Sequence, residues 1–134
     1  MSSARPATAP RLRSLAYYPS GSRRSIVRAR VGSLETHMAT YIILANFTEQ
    51  GIRNVKDTTN RANAFKDMAQ KAGITVKEQY WTLGAHDIVA IVEAPDDIAV
   101  TALGLSTGAL GNVRTQTLRA FSKAEMAAIV GKMI

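Results

Sequence analysis

The side chains in this 134-residue sequence that can do chemistry gather in one short stretch. Trp81-Thr82-Leu83-Gly84-Ala85-His86-Asp87 brings together the only Trp, a His and a carboxylate. His86 carries an imidazole whose unperturbed pKa lies near neutrality, which suits a general base or a metal ligand, and equally a solvated turn residue. Asp87 is either a site carboxylate or an acceptor for turn amides. Gly84 supplies the backbone freedom that a tight hairpin demands. Glu93 follows as the third carboxyl or imidazole group with a claim on catalysis. A metal centre is not expected: His37 lies far upstream of His86, and no ligand-spaced companion stands beside either. Without a single cysteine, thiolate sites, disulfides and cysteine nucleophiles are excluded. Phosphate loops, dinucleotide fingerprints, nucleophile elbows and zinc-protease helices are absent from the sequence.

These groups need elements to hold them. Thr40 to Phe47 reads as a strand that is apolar on both faces. Thr48 to Gly51 reads as a loop, and Ile52, Val55, Thr59, Ala62, Phe65, Ala69 and Ala72 then form one helical stripe. Gly73 sits where a helix-ending glycine belongs. Ile74 to Leu83 alternates as a second strand, and Gly84 to His86 turns into a third, Asp87 to Ala94, again apolar on both faces. Asp96 and Asp97 open a second helix that runs to Gly108. Val113 to Phe121 is a fourth strand, and the capping box Ser122 to Glu125 opens a terminal helix. The order predicts an α+β fold, the ferredoxin-like βαββαβ plait with a C-terminal helix. That plait places the first and third strands at the sheet centre, as their doubly apolar character demands. Helices cover one face only, so the other exposes an apolar patch that soluble monomers rarely carry. A second sheet packed against it, a homodimer of the dimeric α+β barrel type, is the expected remedy.

On that frame Glu93 falls on the side of Val89 and Ile91, facing the space between sheets. Glu78, Tyr80 and Thr82 from the second strand, and Thr115, Thr117 and Arg119 from the fourth, can point the same way. With Tyr41 and Phe47 around them, they would make a small polar-ligand pocket. An ion pair between Glu93 and Arg119, or a Glu93 that reaches solvent, uses the same residues without a ligand. Asn112 and Arg114, at the entrance to the fourth strand, can bind an anion or tie down the preceding Gly108 to Gly111 connection.

The segment from Met38 to about Lys132 resembles the GYD domain family. The residues that carry the resemblance are Tyr41-Ile42-Ile43-Leu44, Thr48-Glu49-Gln50-Gly51-Ile52, Tyr80-Trp81-Thr82-Leu83-Gly84, Asp87-Ile88-Val89-Ala90, Glu93-Ala94-Pro95-Asp96-Asp97 and Gly111 to Leu118. Gly84, Ala85 and Asp87 fit the motif that names the family, and His86 stands in place of its Tyr. The resemblance implies the ferredoxin-like fold and the barrel assembly, and it implies no reaction and no cofactor. The leading expectation is a small cytoplasmic homo-oligomer that binds a polar metabolite between sheets. The alternative is a cofactor-poor enzyme, oxygenating or isomerising, by analogy of fold.

Charge divides the chain in two. Residues 1–37 hold seven arginines, no lysine and one acid, Glu35, whereas residues 38–134 hold ten basic and nine acidic groups. Of the balance of +7, six charges belong to the first segment and one to the body, which offers no basic cluster of the kind nucleic acid needs. The Arg/Ser-rich segment lacks apolar period and is expected to be disordered. An over-extended gene start with Met38 as initiator, an organelle-targeting peptide and a basic arm are its three readings. No apolar run approaches the ~18 residues of a membrane span.

Overall fold

A computed structural model describes residues 37–134. The expected disorder of the Arg/Ser-rich segment therefore lies outside the described residues. Strands β1 (Ala39–Phe47), β2 (Thr75–Trp81), β3 (Ile88–Ala94) and β4 (Val113–Ala120) form one antiparallel sheet in the order β2-β3-β1-β4. The helices are α1 (Glu49–Arg53), α2 (Thr58–Lys71), α3 (Asp97–Ala109) and α4 (Lys123–Val130). This is the ferredoxin-like plait with a terminal helix, and the two doubly apolar strands take the centre.

Local chemistry explains most boundaries. Asp96 accepts a hydrogen bond from the Ala99 amide and caps α3. Ser122 and Glu125 exchange both bonds of the capping box at α4. Gly73 ends the α2 region at φ 77°, a left-handed shape that favours glycine. Two expectations need correction. The stretch expected as a Thr48–Gly51 loop and one continuous helix is a capped helix, a single 3-10 turn at Val55–Asp57 and a longer helix. Thr48 is the cause, since its hydroxyl accepts from the Gly51 amide at 3.0 Å and starts α1 early. Asn54 then leaves helical geometry, and Arg61 staples the turn by donating to the Asn54 and Gly51 carbonyls. The second correction is β2, which ends at Trp81 rather than Leu83. The Thr82 amide donates to the Asp87 carbonyl and closes the turn two residues sooner.

Register fixes which side each residue takes. Tyr41 pairs Val92, Ile43 pairs Ala90 and Ala39 pairs Ala94. These six are buried in the core under α2 and α3, together with Ala69, Ile74, Val100 and Leu103. The alternate residues Ile42, Leu44, Val89 and Ile91 occupy the opposite face, where Ile42 pairs Ile91 and Leu44 pairs Val89. Leu118, paired with Ile42, extends that row onto β4. These residues are only partly shielded, and among the described residues no helix covers them.

Candidate functional site

The Trp81–Asp87 turn is a network of ties between strands. The Asp87 carboxylate accepts the Phe47 amide at 2.9 Å, and the Asp87 amide donates to the Ala45 carbonyl. The carboxylate thus does bond a backbone amide, one from β1 across the sheet. His86 sets Nδ1 3.0 Å from Asn46 Oδ1, and the Asn46 amide donates to the Ala85 carbonyl. Thr82 donates its hydroxyl to the His86 carbonyl at 2.7 Å. The Trp81 indole N–H reaches the Thr58 hydroxyl at 3.0 Å and latches β2 to the start of α2. Gly84 takes φ 102° with open space beside it, so its need is conformational rather than steric. The motif residues Trp81, Gly84, His86 and Asp87 therefore hold a hairpin against β1 and α2.

The residues expected around Glu93 are divided by the sheet. Glu93 lies opposite Thr40 and Thr75, on the open face, with Glu78 and Tyr80 from β2 on the same side. The Tyr80 hydroxyl donates to the Glu78 carboxylate, and that bond raises the Tyr80 pKa. Arg114, opposite Asn46, shares the face from the far strand. Thr115, Thr117 and Arg119 pair with Ala45, Ile43 and Tyr41 and belong to the helix-covered side. Side-chain parity on β4 cannot be assigned until its register is known, because a slip of one residue inverts every side chain. The expected Glu93–Arg119 pair accordingly does not form.

Arg119 instead ends in an aromatic clamp. Its guanidinium carbon lies 4.5 Å from the Phe121 ring centre and 5.7 Å from that of Tyr41, and it pairs with Glu125 at 3.4 Å. The Ser122 amide, and after it Arg119, hold the Glu125 carboxyl below the usual range. Tyr41, 3% exposed, donates its hydroxyl to Asp97 at 2.5 Å and bolts β1 to the first turn of α3. Burial, then that bond and the carboxylate charge, push the Tyr41 pKa up to about 12. Asn112 belongs to a second tie: its carbonyl accepts the Thr48 amide and its side chain accepts from Gln50. The Thr48 hydroxyl also donates to the Gly111 carbonyl at 2.6 Å. A Cβ on Gly51 would fall 1.9 Å from the Asn112 carbonyl oxygen, so the two loops meet only because residue 51 is glycine.

A cavity of about 130 Å³ lies between the helices and the covered face of the sheet. The sequence does carry a signal for it. Ala45, Ala62 and Ala90 are small residues at inward positions on three different elements, and all three line the space. Thr115, expected on the open face beside Glu93, lines it instead, and so does Gln79, which did not stand out as a site residue before the register was known.

Comparison with known proteins agrees with this architecture. The sequence model of the GYD domain matches residues 41–130. A Thermus thermophilus relative, described as glutamine synthetase and cystathionine beta-lyase binding protein, is 33% identical over 92 residues, covering 68% of this chain and 97% of the relative. Among solved structures, the Mycobacterium tuberculosis leucine response regulatory protein superposes with a TM-score of 0.50 at 17% identity, covering 74% of this chain and 73% of that one. The feast or famine regulatory protein of M. tuberculosis, complexed with L-methionine, gives 0.51 at 17% identity, with 74% and 72% covered. These two likenesses establish the shared fold. No helix among the described residues is long and apolar enough to cross a membrane, and no group of three or more potential metal ligands forms among them.

Proposed function

This chain belongs to the GYD domain family, and from that premise we infer that it is a non-catalytic binding module: a homodimer, joined through its open sheet faces, that docks onto metabolic enzymes. The observation that carries the reading is the row Ile42, Leu44, Val89, Ile91 and Leu118, an apolar band across three strands that nothing among the described residues covers. A band of this kind marks an interaction surface. A second copy suits it. A two-fold axis between the faces sets the same apolar band of each copy against the other, with Glu78 on β2 and Arg114 on β4 at its opposite margins. The two turn groups offered for catalysis, His86 and Asp87, are engaged with Asn46 and the Phe47 amide, which favours binding over reaction.

The docking half of the proposal draws on the T. thermophilus relative, which aligns over nearly its whole length. A polar metabolite held between the sheets would meet Glu93, Tyr80 and Arg114 rather than Thr117 or Arg119. Light scattering on the full chain should give at least twice the 14.5 kDa chain mass. Size-exclusion chromatography with purified glutamine synthetase, and separately with purified cystathionine beta-lyase, should show co-elution with at least one. A monodisperse monomer overturns the self-association. Co-elution of a dimeric preparation with neither enzyme overturns the docking.

A further inference from the structure

The cavity on the other side of the sheet has a composition that a packing defect would not have. At about 130 Å³ it approaches the roughly 150 Å³ at which an apolar protein cavity takes up benzene. Its body is apolar, with Phe65, Met68 and Ile88 in the wall, and the three alanines keep it open. Leu110, 62% exposed, also lines it and marks where it meets solvent.

Its polar side chains divide into spent and unspent, with Asn112 among the spent because its amide oxygen accepts from Gln50 at 2.9 Å. Thr107 donates to the Leu103 carbonyl at 2.8 Å, and the Thr58 hydroxyl is taken by Trp81. Arg61 donates from its two terminal nitrogens to the Asn54 and Gly51 carbonyls, at 2.9 and 3.1 Å. The lining's one charged group is thereby held in place on the α1–α2 turn, its charge not neutralised. The half-buried Gln79 amide and Thr115 hydroxyl also reach the lining, one from each edge strand, and among the described residues neither side chain has a hydrogen-bond partner. Polar groups turned toward an apolar space are costly unless something satisfies them.

We propose that this cavity binds a small neutral molecule, a single apolar ring or branched chain bearing one hydroxyl or amide, whose polar atom is taken by Gln79 or Thr115. A carboxylate-bearing ligand is disfavoured because its charge would lose water among Phe65, Met68 and Ile88 while both terminal nitrogens of Arg61 are turned to the Asn54 and Gly51 carbonyls. The site lies across the sheet from the apolar band, so filling it does not depend on dimer formation or enzyme docking.

The test is a titration of the isotope-labelled full chain with phenol, toluene and benzoate, read by amide chemical shifts. Phenol should shift the Gln79, Thr115 and Leu110 amides saturably in the millimolar range. Toluene, which lacks the hydroxyl, should bind about tenfold more weakly, and benzoate should give no saturable shift. Ala62→Leu fills the space from a helix position that tolerates leucine and should weaken phenol at least tenfold. If that variant fails to fold, Gln79→Leu with Thr115→Val should erase the preference for phenol over toluene. No saturable phenol response, a response that Ala62→Leu leaves intact, a preference that survives the double change, or benzoate binding as tight as phenol's overturns the proposal.

Discussion

Ile91 and Val92 are neighbours on β3, equally apolar, and they serve opposite sides of one sheet. Val92 is fully buried against the helices, between Tyr41 on β1 and Val76 on β2. Ile91 pairs Ile42 on the uncovered face and keeps part of its surface in water. The covered face uses small residues, Ala39 and Ala94 in the packed core and Ala45 and Ala90 beside the cavity. The open face uses Ile, Leu and Val at its centre with charged groups toward its margins. Identical hydrophobicity thus does two jobs: on one side it builds the monomer, and on the other it builds whatever meets the monomer.

That contrast predicts the largest effects. Val92→Lys puts an ammonium into a site with no partner and no water, and the chain should not fold, as circular dichroism would show. Ile91→Lys should instead yield folded protein with the wild-type far-ultraviolet spectrum and the scattering mass of a single chain. If both variants unfold, or if Ile91→Lys keeps the assembly of the parent, the two faces are not distinct in the way described.

A smaller effect is expected where two loops meet. Gly51→Ala drives a methyl into the Asn112 carbonyl and should separate the Thr48 and Gly111–Asn112 loops. Overpacking of this kind costs about 1–3 kcal/mol, read as a lowered denaturant midpoint at unchanged slope. An unchanged midpoint would mean that the loops part without cost.

The strands, their order and the double apolarity of β1 and β3 were legible because alternation and turn residues are local signals. The capping box at Ser122 and the cap at Asp96 were legible for the same reason. The break at Asn54 was not, since the periodic stripe from Ile52 to Ala72 runs through it and only tertiary bonds from Arg61 reveal the turn. The candidate site divides along the same line. Glu93 was placed on the correct face with Glu78 and Tyr80, because β3 and β2 are joined by a short hairpin whose parity can be counted. Arg119 and Thr117 were placed on the wrong face, because β4 reaches β1 through a long connection that leaves parity free until the strands pair. Dependence on long-range register, rather than on side-chain chemistry, decided what could be read.

Tyr41 offers a prediction on the covered side alone. Its folded pKa of about 12 lies above the ordinary value of 10.0. The native state therefore holds its proton where the unfolded chain releases it. Stability should be flat with respect to this group below pH 10 and fall between about pH 10 and 12. Tyr41→Phe removes the bond to Asp97 and should cost about 1–2 kcal/mol near neutrality, since Asp97 is exposed and can turn to water. The same variant should lose that part of the alkaline slope. A variant that keeps the full slope would assign it to other groups.

The smallest expected effect is a coupling of zero, and it tests the division of the faces most directly. Glu93 and Arg119 are the two charged residues that sequence alone would pair, and the sheet lies between them. Arg119→Gln should cost about 1 kcal/mol, from the lost stacking on Phe121 and Tyr41 and the lost pairing with Glu125. Glu93→Gln should change stability by less than about 0.5 kcal/mol, as a half-exposed group without an ion-pair partner among the described residues. Residues that share no partner add, so the double variant should match the sum within about 0.5 kcal/mol. The melts must be run at one protein concentration, because Glu93 borders the face proposed for dimer contact and self-association raises apparent stability. A coupling above about 1 kcal/mol would place both side chains on one surface and require β4 to pair with β1 one residue out of the register seen here.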